Sequence, residues 1–273
     1  MSITMEYLDA NKDFTAIQLD RSAIYRGELI LINSEFPLRT ARTDLIRVPK
    51  RLIHPVESAR TAMYVDRTCM RQLQALLTAC RARGNILLVS GYRSNTEQHM
   101  LYETTMKERG EQFTKSFVAK PNESEHQSGL AVDVGENSGD IDFICPTFSD
   151  RGASGDFKKL AAQFGFIQRY TASKSNITKI ANEPWHYRYV GYPHAAIMEQ
   201  EQLCLEEYIS YVKNYEVNGR HLFFEQEDCV YEIYYAAATE RTTIIPITNP
   251  EYFTVSGNNV DGFIITTVHP KHG

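Results

Sequence analysis

The stretch SEHQSGLAVDVG, residues 124–135, decides the predicted fold because it combines a strand with two polar side chains. GLAVDVG is mostly apolar and bounded by glycines, which is typical of a buried strand. His126 and Asp133 lie in this stretch, and buried polar groups of this kind need partners. Groups that pair with them are therefore expected elsewhere in the chain.

The bulk composition indicates a folded globular protein with one large domain, or one domain and a small appendage. Of 273 residues, 42% are hydrophobic and 23% are charged, which suits a packed core and argues against disorder. The net charge of -5 argues against a general nucleic-acid binder, which needs a basic face. No polybasic anchor for an anionic membrane is present, and the oligomeric state stays open.

Targeting signals and cysteines bear on the compartment. The sequence has no run of eighteen apolar residues that could form a transmembrane helix. The start MSITMEYLDANKDF lacks the apolar core of a signal peptide. The five cysteines are scattered, which fits reduced thiols better than a disulfide framework or a CxxC zinc knuckle. We predict a cytoplasmic protein; the alternative is an extracytoplasmic protein whose export segment was removed.

Hydrophobic periodicity predicts alternating strands and helices up to residue 214. Strands are predicted at GELILIN (27–33), NILLVSG (85–91), GLAVDVG (129–135) and EPWHYRYVG (183–191), and helices at 65–83, 94–110, 156–165 and 193–214. Ser94 and Glu97 form a capping-box pattern at the start of the second helix. The long polar loop at 136–155 is typical of a lid or wall beside a functional site.

Three segments are predicted. Residues 1–24 are polar and irregular and are predicted to form an N-terminal arm, and residues 25–214 are predicted to form the main domain. Residues 215–273 are predicted to be a small β-rich appendage, too small to hold a large core alone. Its β-type runs are separated by turn residues and read RHLFFEQ, CVYEIYYAAA, TTIIPIT, EYFTV and GFIITTV.

Ligand-type residues recur in EPWH, which holds Glu183 and His186. Three ligands of the His or Asp type and one free carboxylate are the components of a catalytic zinc site. His126, Asp133 and His186 are the candidate ligands, and Glu183 is the candidate general base.

Two points stay open on spacing alone. Glu183 and His186 are three residues apart, so they reach one pocket only if the strand kinks, and Pro184 is the candidate for that kink. The alternative is purely structural: a hydrogen-bonded His126, a turn Asp133 and a core centred on Trp185.

Three motifs, SGYRS (90–94), SEHQSGLAVDV (124–134) and EPWHYRYVG (183–191), resemble in this order the D-Ala-D-Ala metallopeptidases of the vancomycin-resistance group. These belong with the LAS zinc peptidases (lysostaphin, D-Ala-D-Ala peptidases, sonic hedgehog). The likeness runs from about residue 27 to 214 and includes ICPTFSD and GFIQRY. It is closest to the bifunctional VanXY-type D,D-dipeptidase/D,D-carboxypeptidases and next to the VanY-type carboxypeptidases, and the tail after residue 215 lies outside it.

The resemblance implies one Zn²⁺ per chain, and it gives roles to individual residues. The expected fold is α+β: a small, mostly antiparallel sheet flanked by helices, with zinc in a cleft between sheet and loop. The implied ligands and catalytic base are the residues already named. Arg93 is implied to stabilise the oxyanion, Ser124 to hold the terminal carboxylate of the substrate, and Gln98 to line the pocket. For Arg93 the alternative is a surface pair with Glu97, and for Ser124 a turn.

The implied reaction is hydrolysis of the D-Ala-D-Ala bond in UDP-MurNAc-pentapeptide-type precursors and in the free dipeptide, which would remove the target of vancomycin. The free dipeptide carries an ammonium that calls for a carboxylate. Ser90, before GYR, is neutral where some bifunctional relatives have aspartate, which argues against strong dipeptidase activity. Asp140 or Asp142 could supply the charge instead.

Two further classes are weighed against the enzyme. One is a non-catalytic, zinc-containing peptide-binding module, which would need neither Glu183 nor Arg93. The other is a LAS peptidoglycan endopeptidase, against which the absence of a wall-targeting repeat and of an export signal argues.

Overall fold

The computed structural model describes residues 3–7, 15–41, 43–53, 62–82, 84–137 and 141–271. Within these ranges it has thirteen strands, in chain order β1 (Ile3–Tyr7), β2 (Thr15–Asp20), β3 (Leu45–Arg47), β4 (Tyr64–Asp66), β5 (Ile86–Ser90), β6 (Ala131–Glu136), β7 (Phe166–Tyr170), β8 (Glu183–Tyr189), β9 (Arg220–Glu225), β10 (Cys229–Ala237), β11 (Thr242–Ile247), β12 (Phe253–Gly257) and β13 (Gly262–Pro270).

Seven α-helices accompany these strands in the same ranges: α1 (Arg67–Ala79), α2 (Asn95–Arg109), α3 (Glu111–Phe117), α4 (Gly152–Leu160), α5 (Ser175–Thr178), α6 (His194–Gln200) and α7 (Leu205–Val212). The predicted capping box at α2 is confirmed, since Ser94 and Glu97 exchange both hydrogen bonds. In the described part, no helix is long and apolar enough to cross a bilayer.

The chain divides into a larger unit, Ile32–Cys204, and a smaller unit, Met1–Leu31 with Leu205–Gly273. This division differs from the predicted boundaries at 24/25 and 214/215. The predicted arm at 1–24 contains β1 and β2, which pair antiparallel with β9 and β11. Local polarity does not predict pairing between strands from the two ends of the chain.

The larger unit carries a four-stranded antiparallel sheet in the order β5-β6-β8-β7. Helix α1 buries its apolar face in the same core, which confirms the α+β prediction. The side chains that join helix and sheet in this core include Leu73, Leu76, Leu88, Val132 and Tyr187.

Two irregularities in this sheet align the polar side chains. Ser90 of β5 lies opposite Asp133 of β6, and Asp133 lies opposite His186 of β8. In β8, residues 184–186 stand opposite a single residue of β7, because the pairing shifts between Gln168 and Tyr170. Such a bulge re-aims side chains that regular alternation would send to opposite faces. The backbone irregularity predicted within EPWH is therefore present, at residues 184–186.

Gly129 makes the turn between the one-turn 3₁₀ helix Glu125–Ser128 and β6. Its backbone is left-handed, with φ of 71°, and its N–H donates to the carbonyl of His126 over 3.1 Å. A Cβ atom at this position would lie 2.6 Å from Cδ2 of Leu45. Glycine at this position therefore allows the left-handed turn from the 3₁₀ helix into β6 without strain.

Replacing Gly129 with alanine is expected to lower the free energy of unfolding by about 1–3 kcal/mol, through backbone strain and the contact with Leu45. Urea denaturation measures this. Gly84→Ala is the control, since φ is also positive there, at 83°, but nothing lies within 4 Å of the added Cβ. Equal losses in the two variants would show that the contact with Leu45 contributes nothing.

The smaller unit holds a five-stranded sheet in the order β1-β9-β10-β13-β12 and the β2–β11 pair. The five predicted β-type runs of the tail correspond to β9–β13. A buried carboxylate, Glu232, accepts bonds from His221 and His269, each over 2.7 Å. Both oxygens of Glu232 therefore have histidine partners.

Two local predictions are wrong. GELILIN is not a strand: its residues are largely buried but irregular, and Leu31 N–H donates to the carbonyl of Asn258 rather than to a sheet partner. The helix predicted at 193–214 is two helices, α6 and α7, separated by Gln202 with φ of 55°. Apolar periodicity continued across this break, so periodicity alone could not locate it.

Candidate active site

One cavity in the larger unit receives every side chain predicted to form the site. Its volume is about 210 Å³. The sheet supplies Ser90, Asp133, Glu183 and His186, and the flanking segments supply Arg93, Gln98, Ser124 and His126. The site is thus assembled from residues nearly a hundred positions apart in the chain.

The three predicted ligands face one another. Nε2 of His126 lies 3.1 Å from Oδ2 of Asp133, and Nδ1 of His186 lies 2.9 Å from Oδ1 of Asp133. The ligand atoms of all three lie within 4.8 Å of one another, and this is the metal-ligand group found among the described residues. Tetrahedral zinc holds such atoms roughly 3.4 Å apart at its usual bond lengths. The spacing and the donor types therefore fit a divalent zinc ion.

The tautomer of His126 is fixed from outside the cavity. Its Nδ1 lies 2.7 Å from the carbonyl oxygen of Gly91, which can only accept a hydrogen bond. Nδ1 therefore carries the proton, and the lone pair of Nε2 points toward Asp133. This is the usual arrangement around a metal-binding histidine.

The charges and the burial of the three candidate ligands shift their pKa values in different directions. Burial lowers the pKa of His126 to about 4, with the charge of Arg93 acting in the same direction. Burial also disfavours a charged His186, but hydrogen bonds to Asp133 and Glu125 outweigh it and raise its pKa to about 9. Burial opposes the Asp133 carboxylate too, yet His126 and His186 hold its pKa below the ordinary range. His126 is therefore neutral, and Asp133 is an anion between the two imidazoles.

Glu183 is a buried carboxylate beside the ligands. Its Oε2 lies 3.7 Å from Nδ1 of His186. Burial raises the pKa of Glu183 to about 8, against the opposing charge of His186. A carboxyl with a raised pKa next to a metal-ligand group is suited to accept and return a proton.

Arg93 points its guanidinium into the cavity. Its Nη1 donates to Oε1 of Gln98 over 2.9 Å, and its Nη2 lies 3.8 Å from Oδ2 of Asp133. The alternative surface pair with Glu97 does not form, because the Glu97 carboxylate is bound by Ser94.

The residues predicted to contact substrate all line the cavity, with different local roles. Gln98 is fully buried, and its Nε2 donates to the carbonyl of Ala119 over 2.7 Å, so both ends of its amide are engaged. Ser124 precedes the 3₁₀ turn but makes no capping hydrogen bond to it. Ser90 borders the cavity from the end of β5.

Of the two loop aspartates that could replace a charge at position 90, Asp142 is engaged elsewhere. Asp142 bonds to Arg109 over 3.0 Å and accepts from the N–H groups of Ile144 and Cys145. It is not among the described residues that line the cavity. Asp140 lies outside the described residues.

Glu125 is a site residue that the sequence reading missed. It lines the cavity, is fully buried and contacts Arg169, Arg188 and His186. A signal was available in its position, since an acid between Ser124 and His126 is a charge inside a segment predicted to be buried. Its arginine partners are 44 and 63 residues away, so no local pattern could pair them with Glu125.

Two histidines and one aspartate in a cleft, with a spare buried carboxylate, define a mononuclear metallohydrolase site. Residues 62–192 match the family VanY, described as D-alanyl-D-alanine carboxypeptidase. The chain belongs to this peptidase family, as its relatives also establish.

A bifunctional D-Ala-D-Ala dipeptidase and D-Ala-D-Ala carboxypeptidase, VanXYC of Enterococcus gallinarum, is 40% identical over 67% of this chain and 94% of its own length. The crystal structure of the vancomycin-resistance D,D-dipeptidase VanXYg, in complex with a D-Ala-D-Ala phosphinate analogue, matches with a TM-score of 0.87 and 40% identity. That match covers 94% of this chain and 100% of the other, so the likeness extends into the tail after residue 215.

A zinc-bound relative supports the metal assignment. A mutant of the D,D-pentapeptidase VanY from a VanB-type resistance cassette, in complex with Zn(II), matches with a TM-score of 0.53 and 29% identity. The match covers 67% of this chain and 98% of the other. The chain is therefore a peptidase with a possible metal site made of two histidines and one aspartate.

Proposed function

We propose that the protein is a zinc D,D-peptidase that removes the C-terminal D-Ala of UDP-MurNAc-pentapeptide-type precursors and also cleaves free D-Ala-D-Ala. The observation that carries the proposal is the convergence of a metal-ligand group with Glu183 and Arg93 in one cavity. We further propose one zinc ion per chain, held by His126, Asp133 and His186.

Held by His126, Asp133 and His186, a zinc ion would supply Lewis acidity toward the attacking water and the scissile carbonyl. Glu183 takes a proton from the attacking water and returns one to the amide nitrogen that leaves as D-alanine. Arg93 donates to the oxygen on which negative charge develops, and Gln98 holds the guanidinium in place. Ser124 offers a hydroxyl to the terminal carboxylate of the substrate.

The charges of the cavity favour a substrate without a free ammonium near the scissile bond. Three carboxylates line it among the described residues: Glu125, Asp133 and Glu183. Glu125 is bound by arginines, and the other two are committed to the metal and to proton transfer. No fourth carboxylate among the described lining residues is left for a dipeptide ammonium, so we propose that the precursor is cleaved at least as well as the dipeptide.

Release of D-alanine from the dipeptide and from the pentapeptide precursor, measured side by side with zinc-loaded protein, tests the proposal. Release from both is expected. No release from either substrate by protein that binds zinc would favour the peptide-binding module and overturn the enzyme.

Ser90→Asp is expected to raise the ratio of kcat/KM for the dipeptide over the pentapeptide by about 10-fold, which corresponds to ~1.4 kcal/mol of added ion pairing. The reason is that a carboxylate at this edge of the cavity can meet the substrate ammonium. Ser90→Asn, of similar size and neutral, is the control. A ratio that rises equally in both variants would exclude charge as the cause.

We also propose that the protein acts in the cytoplasm, where both substrates occur, and contributes to glycopeptide resistance by removing the D-Ala-D-Ala terminus. All five cysteines are free thiols, which supports a reducing compartment. Fractionation of cells that produce the protein tests the location.

A further inference from the structure

We propose that Glu125 is a positioning residue for the metal site: fixed by two buried arginines, it orients His186 so that Nδ1 faces the metal. This inference rests on the metal site proposed above and goes beyond it, because it concerns what holds a ligand in place. Glu125 itself lies behind His186, on the side of the imidazole away from Asp133.

The two oxygens of Glu125 have separate tasks. Oε1 accepts from Nε of Arg169 over 2.8 Å and from Nη1 of Arg188 over 2.9 Å. Oε2 faces Nε2 of His186 at 3.4 Å. The side chains of Glu125, Arg169 and Arg188 are completely shielded from solvent. The carboxylate is therefore anchored by one oxygen and presents the other to the imidazole.

The hydrogen-bond types place a proton on Nε2 of His186. Guanidinium groups only donate, so Glu125 is bound as an ionised carboxylate, which only accepts. Nε2 of His186 must then carry the proton that points at Oε2. Nδ1, which faces Oδ1 of Asp133 over 2.9 Å, is then the nitrogen left for the metal side. Carboxylates that act on metal-binding histidines in this way raise the basicity of the ligand nitrogen.

The same cluster also restrains the imidazole ring by packing. The guanidinium of Arg169 lies 5.0 Å from the ring centre of Tyr170, and the Tyr170 ring lies 4.9 Å from that of His186. Arg188 is further fixed by its Nε, which donates to the carbonyl of Tyr189 over 3.0 Å. Arg169 therefore holds both groups that contact the imidazole, Glu125 through an ion pair and Tyr170 through its ring.

A purely structural role does not explain why three charged side chains are buried together. Apolar side chains of similar volume often stabilise a core as well or better than buried ion pairs. The arrangement makes sense if its function is to hold one imidazole.

The test measures the zinc dissociation constant by chelator competition, and the visible spectrum of the Co²⁺-substituted protein as a report on ligand geometry. Glu125→Gln is expected to weaken zinc binding by about 10–100-fold and to alter the Co²⁺ spectrum. Glu125→Gln leaves two buried arginines with less counter-charge, so Glu125→Gln/Arg169→Met is measured as well. The double variant keeps the net charge of the cluster unchanged and is expected to show the same loss.

Glu232→Gln is the matched control. It also removes a buried carboxylate that bonds to histidine. Glu232 has two histidine partners and lies in the smaller unit, outside the metal-ligand group. Its zinc affinity is expected to equal that of the unmodified protein.

Each outcome decides a different point. No zinc binding by the unmodified protein would remove the metal site and the proposed function together. Tight zinc binding by the unmodified protein and equally by both Glu125 variants would overturn this inference alone. Failure of both Glu125 variants to fold, while Glu232→Gln folds, would make the cluster structural and also overturn it.

Discussion

Glu183→Gln is expected to lower kcat/KM for D-alanine release by about 10²–10⁴-fold while zinc stays bound. The amide keeps the size of the side chain but cannot accept the proton of the attacking water. Glu183 lies 3.7 Å from Nδ1 of His186 and is not part of the metal-ligand group, so its replacement leaves the three ligands in place. D-alanine release and zinc content per chain are measured on the same preparations.

The control for this prediction is Glu111→Gln. Glu111 is an exposed acid that pairs with Lys115 over 2.6 Å on the surface of α3, and its loss is expected to leave kcat/KM unchanged. Full activity in Glu183→Gln would mean that another group moves the proton. Loss of zinc in that variant would mean that Glu183 belongs to the ligand set rather than to proton transfer.

Local signals in the sequence were sufficient for the elements that carry the site. The capping box of α2, the apolar run of β5 and the glycine-bounded run of β6 depend on neighbours only a few residues apart. The candidate ligands followed from residue type and order, and the resemblance of three motifs made them specific. The meeting of His126, Asp133 and His186 was predictable for these reasons.

Long-range pairing and backbone irregularity were not predictable. The pairing of β1 with β9 joins residues more than two hundred positions apart, and no local pattern in residues 1–24 predicts it. The two bulges that align Ser90, Asp133 and His186 depend on register between strands. Glu125 was missed for the same reason, because its meaning comes from the arginines that surround it.

Arg93→Lys is expected to lower kcat by about 10²–10³-fold, nearly as much as Arg93→Ala, with zinc affinity unchanged. Lysine keeps the charge but not the planar fork. In the fork, Nη1 is fixed by Gln98 over 2.9 Å while Nη2 lies 3.8 Å from Asp133, which aims the remaining N–H groups into the cavity. An ammonium on a flexible stem cannot reproduce that aim, so charge alone is expected to recover little of the rate.

Single-turnover kinetics with the pentapeptide precursor separates the chemical step from binding in this series. Arg109→Lys is the control, because Arg109 is an exposed arginine that pairs with Asp142 over 3.0 Å and is absent from the described lining of the cavity. A role in the transition state requires that kcat fall while the dissociation constant of the substrate changes little. If Arg93→Lys instead weakens substrate binding and leaves kcat intact, Arg93 holds the ground-state peptide, and the oxyanion must be stabilised by the metal alone.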